Sequence, residues 1–334
     1  MEQIAIPRGM PPLLLAVVHT EEEFDWLKPF DRTHDAITHL RALGRAQEIF
    51  ARHGVKPTYM LDYPVVSQDS GVDAVKAVVD GSDATIGAHL HPWVNPPFDE
   101  PISIYNSFPG NLPRELEKEK LLRLADQISS RFGVRPVDYL AGRYGFGSNS
   151  LSILQELGFR SDLSVAAMMD YRAEGGPDYR SSNNFCFWDG SPAILRIPHN
   201  VVDVGFLCWR ARRLLRPDSH ALLRSIHLGG ILSRCGAITR IRLSPEGFDL
   251  AQLKTCARAL VAVGVGVLVF SFHSPSLVPG FTPYVNDRDD LVEFLGRIDG
   301  FLRFFRTDMG GAFGDPGDVW AAARADLARH RPHA

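Results

Sequence analysis

The chain has 334 residues, 45% of them hydrophobic and 22% charged, with a formal net charge of −3. That apolar content and small net charge exclude a mainly disordered chain, and 36 basic against 39 acidic side chains give no electrostatic reason to expect nucleic acid. Four cysteines, Cys186, Cys208, Cys235 and Cys256, are too few and too scattered for a disulfide framework or a thiolate zinc site.

In chain order, Leu13 to His19 reads as a buried strand. It is too short for a secretory signal core and runs straight into Glu21, Glu22, Glu23 and Asp25. Ile37, Leu40, Leu43, Ala46 and Phe50 recur at helical spacing and stop at Gly54. Pro57 to Asp62 follows as a strand, Ala74 to Val79 as a short helix and Ala84 to His89 as a third strand. Leu121, Leu124, Ala125, Ile128 and Phe132 stripe a charged helix ending at Gly133. Val137 to Ala141 (strand), Leu151 to Leu157 (helix) and Ser161 to Val165 (strand) come next. Strands at Ala193 to Ile197 and Thr239 to Leu243, a helix from Leu250 to Val263 and a strand from Val265 to His273 complete the pattern. Segments 92–113 and 171–192 read as long ordered loops. The longest apolar run, Ala259 to Phe270, is too short to span a bilayer, so a soluble cytoplasmic protein with no membrane span is expected.

Strand–helix alternation with continuous apolar strands predicts a mainly parallel α/β sheet buried on both faces, either an open doubly wound sheet or a closed barrel. No composition break divides residues 1–334. One domain is expected, with its core at about 13–277 and C-terminal helices at about 286–330.

Three constellations fall at the carboxyl ends of expected strands, where parallel α/β folds build their sites. In His19-Thr-Glu-Glu-Glu23, acids this close repel one another unless a cation or base neutralises them. Extended backbone would point His19 and Glu21 one way and Glu22 the other. The plain alternative is a capping box, Thr20 with Glu23, opening a helix. In His89-Leu-His91-Pro-Trp93, two histidines at i and i+2 project to one side and can share a metal; two unrelated loop histidines are the alternative. Two imidazoles and one carboxylate make the ligand set of a catalytic zinc centre. His273 ends the most apolar strand and reads as either a rim or a core histidine. Arg143 directly follows another strand, between Gly142 and Gly145. Arg210, Arg212, Arg213, Arg216 and Arg224 form a basic stretch that reads as a solvated helix face or a phosphate-binding surface.

In this order the motifs resemble those of the NodB-homology polysaccharide deacetylases, carbohydrate esterase family four, over roughly Leu13 to Leu277. Val17-Val-His-Thr-Glu-Glu22 resembles the segment carrying the family's catalytic base and metal carboxylate. Gly87-Ala-His-Leu-His91 resembles its metal histidines at a compressed spacing. Gly142-Arg-Tyr-Gly145 resembles its arginine motif and Phe272-His-Ser-Pro-Ser-Leu277 its general-acid motif. The run Gly158-Phe-Arg-Ser-Asp-Leu-Ser164 is similar to the family segment between them. Thr-Glu-Glu-Glu-Phe-Asp-Trp with His-Leu-His-Pro-Trp is similar to a divergent branch labelled WalW. The resemblance implies a distorted (β/α)7 barrel and a hydrolase of amide bonds, most simply one removing N-acetyl from a sugar or glycan. It implies a divalent metal, zinc first, on Glu21, His89 and His91. His19 or Glu22 would be the base, Arg143 its orienting residue and His273 the general acid. Trp26, Trp93 and Tyr144 are expected to face substrate. Where the family has an aspartate base this chain has His19, which leaves two other readings: a metal-independent cyclic-amide hydrolase, or a carbohydrate-binding protein on a decayed enzyme scaffold.

Overall fold

A computed structural model describes residues 2–3, 11–24, 28–190, 194–205 and 239–330. The basic stretch at 210–224, Cys208, Cys235 and Trp26 lie outside these residues.

After a two-residue strand β1 (Glu2–Gln3), β2 (Leu13–Thr20) runs through the centre of the molecule and is buried from its second residue onward. A 3-10 turn leads into α1 (Leu43–His53), which stops at Gly54, and β3 (Pro57–Leu61) follows. The helix expected at Ala74 starts earlier. Pro64 sits in the first turn of α2 (Tyr63–Ser67), whose amino end is capped by Asp62, and α3 (Asp69–Val79) continues from it. Then come β4 (Thr85–Leu90), α4 (Arg114–Phe132, ending at Gly133), β5 (Asp138–Ala141) and α5 (Ser150–Glu156).

The strand expected over Ser161 to Val165 contributes only β6 (Ser161–Asp162), because the Ser164 hydroxyl, not a backbone carbonyl, accepts the Ala141 N–H at 2.7 Å. The loop expected over 171–192 contains the short strand β7 (Phe187–Asp189). Next are β8 (Ile194–Arg196), the hairpin of β9 (Val201–Val204) and β10 (Thr239–Arg242), α6 (Leu250–Ala262) and β11 (Val267–His273). Helices α7 (Arg288–Thr307) and α8 (Pro316–His330), separated by β12 (Ala312–Gly314), occupy the expected C-terminal helical segment.

The main sheet runs β1-β7-β8-β6-β5-β4-β3-β2-β11, with β12 also on β2. From β8 to β11 every neighbouring pair is parallel, and β7 and β1 add antiparallel strands at the β8 edge. Side chains span the gap between β11 and the segment after β8. Asn200 Oδ1 accepts the Val269 N–H at 2.6 Å, and His199 Nδ1 lies 3.1 Å from Ser271 Oγ. This curled parallel sheet with surrounding helices is the expected distorted (β/α) barrel. One face of the strands packs against α1, α4, α6 and α7 through Phe50, Leu124, Leu260, Phe270 and Phe301; the alternate face is lined by Leu15, Val17, Leu140 and Leu195. Because the strands are parallel, their carboxyl ends meet at one rim: Glu21 after β2, Asp62 after β3, His91 after β4, Gly142 after β5, and Ser274 after β11.

Candidate metal centre

The β2–β11 register sets His19 directly opposite His273, and β4 brings His89 opposite Leu140 of β5. Past the strand ends, alternation sends Glu21 and Glu22 to opposite sides of one ring, that of His91. Glu21 Oε2 lies 3.2 Å from His89 Nε2 and 3.6 Å from His91 Nε2. On the far side, Glu22 Oε2 lies 2.8 Å from His91 Nδ1, and Glu22 Oε1 accepts the Trp93 indole N–H at 2.8 Å. The alternative reading of this segment, a capping box of Thr20 with Glu23, does not form. Thr20 Oγ1 donates to the Val18 carbonyl, Glu23 accepts from Thr38 and His39, and residues 21–24 are not helical.

The outer nitrogens decide what the inner ones can do. His89 Nδ1 lies 3.0 Å from the Leu140 carbonyl oxygen, which only accepts, so the proton of the neutral ring sits on Nδ1. His91 Nδ1 likewise faces a carboxylate. Each ring then presents a bare Nε2 lone pair toward the same oxygen, Glu21 Oε2. Burial lowers the pKa of both histidines, and both are nearly inaccessible, at 1% and 5% exposure. Burial opposes ionisation of Glu21, but the pKa is drawn down to about 2, with the His273 charge the leading cause. Two neutral lone pairs and an anionic oxygen facing one another repel unless a proton or a cation lies between them. The donor set therefore fits a divalent metal, and the acceptors behind each imidazole are the usual outer partners of histidine ligands.

Glu22 is wholly buried. Desolvation, with the neighbouring Glu21 charge adding to it, raises its pKa to about 7. Its backbone N–H donates to Asp62 Oδ2 at 2.8 Å, and burial also pushes Asp62 well above the usual carboxylate range. Trp93, expected at a sugar face, is 3% exposed, with one face stacked on His91 at 4.3 Å and Phe24 and Phe30 close by.

His273 Nδ1 pairs with Glu246 Oε2 at 2.8 Å, while Glu246 Oε1 accepts the His273 N–H and the Ser276 hydroxyl. Burial alone would lower the His273 pKa, but Glu246 and Glu21 overcome it and raise it to about 9. His19 sits among His273, His89 and His199 with ring centroids at 4.6, 5.2 and 5.5 Å. Burial first, then these rings, hold its pKa well below the ordinary value, and its Nε2 has no hydrogen-bond partner among the described residues.

Gly142 lets β5 turn against this cluster, since a Cβ there would lie 2.6 Å from both His91 Cδ2 and the Leu90 carbonyl oxygen. Arg143 and Tyr144 follow with φ of 55° and 58°, a left-handed pair costing about 1–3 kcal/mol each. That turn aims Tyr144 at His19 and His199, with centroids at 6.2 and 5.1 Å, and lays Arg143 over Phe108 and against Ser107 and Glu174. No hydrogen bond from Arg143 to His19 or Glu22 is present. Asp62, His199 and Glu246 were not singled out from sequence. His199 and Glu246 lie after short β-elements without a motif, while Asp62 was legible only as a residue closing a strand.

No family model and no curated protein sequence matches the chain. Solved structures do. A protein assigned as a polysaccharide deacetylase from Mycobacterium smegmatis superposes with a TM-score of 0.56 at 13% identity, covering 98% of this chain and 96% of that one. An allantoinase gives 0.56 at 14% identity, covering 96% and 92%. A second assigned polysaccharide deacetylase, from Pseudomonas aeruginosa, gives 0.55 at 15% identity with the same coverage as the allantoinase. At these identities the likeness is one of fold: the chain has the polysaccharide deacetylase fold over nearly its whole length.

Proposed function

We propose that the protein is a metal-dependent hydrolase of amide carbon–nitrogen bonds that removes the acetyl group of an N-acetylated sugar or glycan, within the WalW-like branch of the deacetylases. One observation carries the proposal: two imidazole lone pairs and one ionised carboxylate converge on a point beside a histidine that is charged at neutral pH. Glu21, His89 and His91 would hold the metal, with zinc proposed from the ligand types. When bound, the metal supplies a Lewis acid for the acyl carbonyl and a more acidic water.

The remaining roles belong to the chain's own groups. Glu22 and the Leu140 carbonyl orient the two histidines, and Trp93 holds Glu22, so Glu22 is a positioning group and His19 the base. His19 is neutral and its Nε2 has no hydrogen-bond partner among the described residues, which leaves a lone pair to take the proton that water loses as its oxygen bonds the carbonyl carbon. His273, its Nδ1 fixed by Glu246, delivers a proton from Nε2 to the nitrogen as the C–N bond breaks, and the products are a free amine and acetate. Tyr144 lines the space beside His19, and Arg143 braces the loop that bounds it.

A second reading, hydrolysis of a small cyclic amide, draws support from the allantoinase likeness and from the near-complete burial of His19, Glu21, His89 and His91. Metal analysis of purified protein, with acetate release assayed on N-acetylglucosamine and chitooligosaccharides and ring opening on cyclic ureides, separates the two. The proposal expects about one divalent metal per chain and acetate release that a chelator abolishes and Zn2+ restores. Chelator-resistant ring opening supports the second reading, and inactivity throughout leaves a binding role.

A further inference from the structure

A second polar chain lies behind the site. Glu23 Oε1 accepts from Thr38 Oγ1 at 2.6 Å and from the His39 backbone N–H at 2.9 Å, and it lies 3.3 Å from His39 Nδ1. His39 Nε2 lies 2.8 Å from Ser274 Oγ, and Ser274 Oγ accepts the Glu21 backbone N–H at 3.3 Å. The order carboxylate, imidazole, hydroxyl is that of a nucleophilic triad. Here, however, Ser274 and His39 are both 0% exposed, and the hydroxyl is already engaged by a backbone amide. No acyl group reaches Ser274, so the chain has a different use.

That use follows from where it ends. The β2–β11 ladder stops at the pair His19–His273. Two residues on, a side chain, Ser274 Oγ, meets the Glu21 N–H. Because Nδ1 faces a carboxylate, it carries the proton of neutral His39, Nε2 accepts from the Ser274 hydroxyl, and an oxygen lone pair remains for Glu21. A single chain thus ties the backbone of Glu21 to the residue following His273. We propose that Ser274, His39 and Glu23 are positioning residues of the metal centre, fixing the backbone from which the Glu21 carboxylate reaches His89 and His91. The inference rests on the metal-binding reading above. Outer partners of this kind typically change metal affinity or activity about 10- to 100-fold when removed.

The test measures Zn2+ affinity by competition with a chromogenic chelator, alongside the visible spectrum of the Co2+-substituted protein and the melting temperature of the metal-free protein. Ser274→Ala is expected to weaken Zn2+ binding about 10- to 100-fold and to alter the Co2+ bands. Ser274→Thr, which keeps the hydroxyl, should lie closer to wild type in both. Wild-type affinity and spectrum in a folded Ser274→Ala variant overturn the inference while leaving the metal centre intact, even if the melting temperature falls. Should Ser274→Ala not fold, Glu23→Gln at the partly exposed end of the chain replaces it. A smaller loss of Zn2+ affinity supports the inference, and none overturns it. Failure of the wild type to bind Zn2+ overturns the metal centre itself and this inference with it.

Discussion

Lys120, on α4, is 0% exposed although it carries an ammonium group. Its Nζ donates to the carbonyl oxygens of Pro92, Asn95 and Pro97 at 2.9, 2.6 and 2.6 Å and pairs with Glu100 at 3.1 Å. Burial lowers its pKa, with Glu100 acting in the other direction. Lys120→Met keeps most of the side-chain volume and deletes the charge, leaving three carbonyls and a carboxylate without their donor. Breaking a buried ion pair from one side costs about 3–5 kcal/mol, a range consistent with about 1–3 kcal/mol for each orphaned group when the loop relaxes in part. At about 2.1 cal/mol/K per residue, unfolding 334 residues carries an entropy of roughly 0.7 kcal/mol/K, so the melting temperature should fall by about 4–7 °C. The loss also reaches the site, because the pinned loop carries Trp93, which holds Glu22 behind His91. Differential scanning calorimetry and limited proteolysis check both effects, and the variant should gain a cleavage near Pro97. A melting shift under about 1 °C with no new cleavage would refute the reasoning, since the carbonyls would then be satisfied without the ammonium.

His89→Ala with His91→Ala should abolish metal binding, and stoichiometric metal retained after chelator treatment would sink the assignment. His273→Ala should lower kcat on an amide by about 10²- to 10⁴-fold with metal content unchanged, and by less on an activated ester, which leaves without protonation; equal losses on both would remove the general-acid role. Because the His273 pKa is raised to about 9, its acid form persists to that pH, and its stabilisation is full below about 6.5 and lost as pH rises through 9. Glu246→Gln should therefore move the alkaline limb of the kcat profile down toward 6.5, and an unmoved limb would detach Glu246 from the acid. We also propose that the chain folds as one unit: proteolysis near Gly175 should nick it without releasing halves that fold alone.

The central strands were legible because a parallel sheet covered on both faces forces continuous apolar runs, as in Leu13 to Val18 and Val267 to Phe270. The opposed directions of Glu21 and Glu22 were legible too, as a consequence of strand alternation. What escaped was whatever depends on a distant partner. Glu246 sits in a turn with no pattern of its own and matters only because β11 ends beside it. Trp93 was readable as an aromatic near the site, but its direction is set by Glu22, 71 residues earlier. Strand β7 is three residues long, below what periodicity detects, and is held by pairing with β8 and β1. Ser274 lies in the motif Phe272-His-Ser-Pro-Ser-Leu277, yet nothing local indicates that its hydroxyl meets the Glu21 amide.

Five histidines at one rim, four of them buried, raise the question of how their charge is limited. Burial alone disfavours every imidazolium, and His19, His89, His91 and His199 all have lowered pKa values, His199 to about 3. Only His273 departs, its Nδ1 and its backbone N–H both meeting the carboxylate of Glu246. One imidazolium among four neutral rings is also the arrangement in which each neutral ring presents a lone pair and the charged one presents a proton. Protonating His19 as well would place like charges 4.6 Å apart by the centroid distance, worth about 3–4 kcal/mol at an effective dielectric near 20. The burial and repulsion that keep His19 neutral also keep it apart from the acid role. Glu246, a residue with no motif, thus decides which of five chemically identical side chains becomes the proton donor.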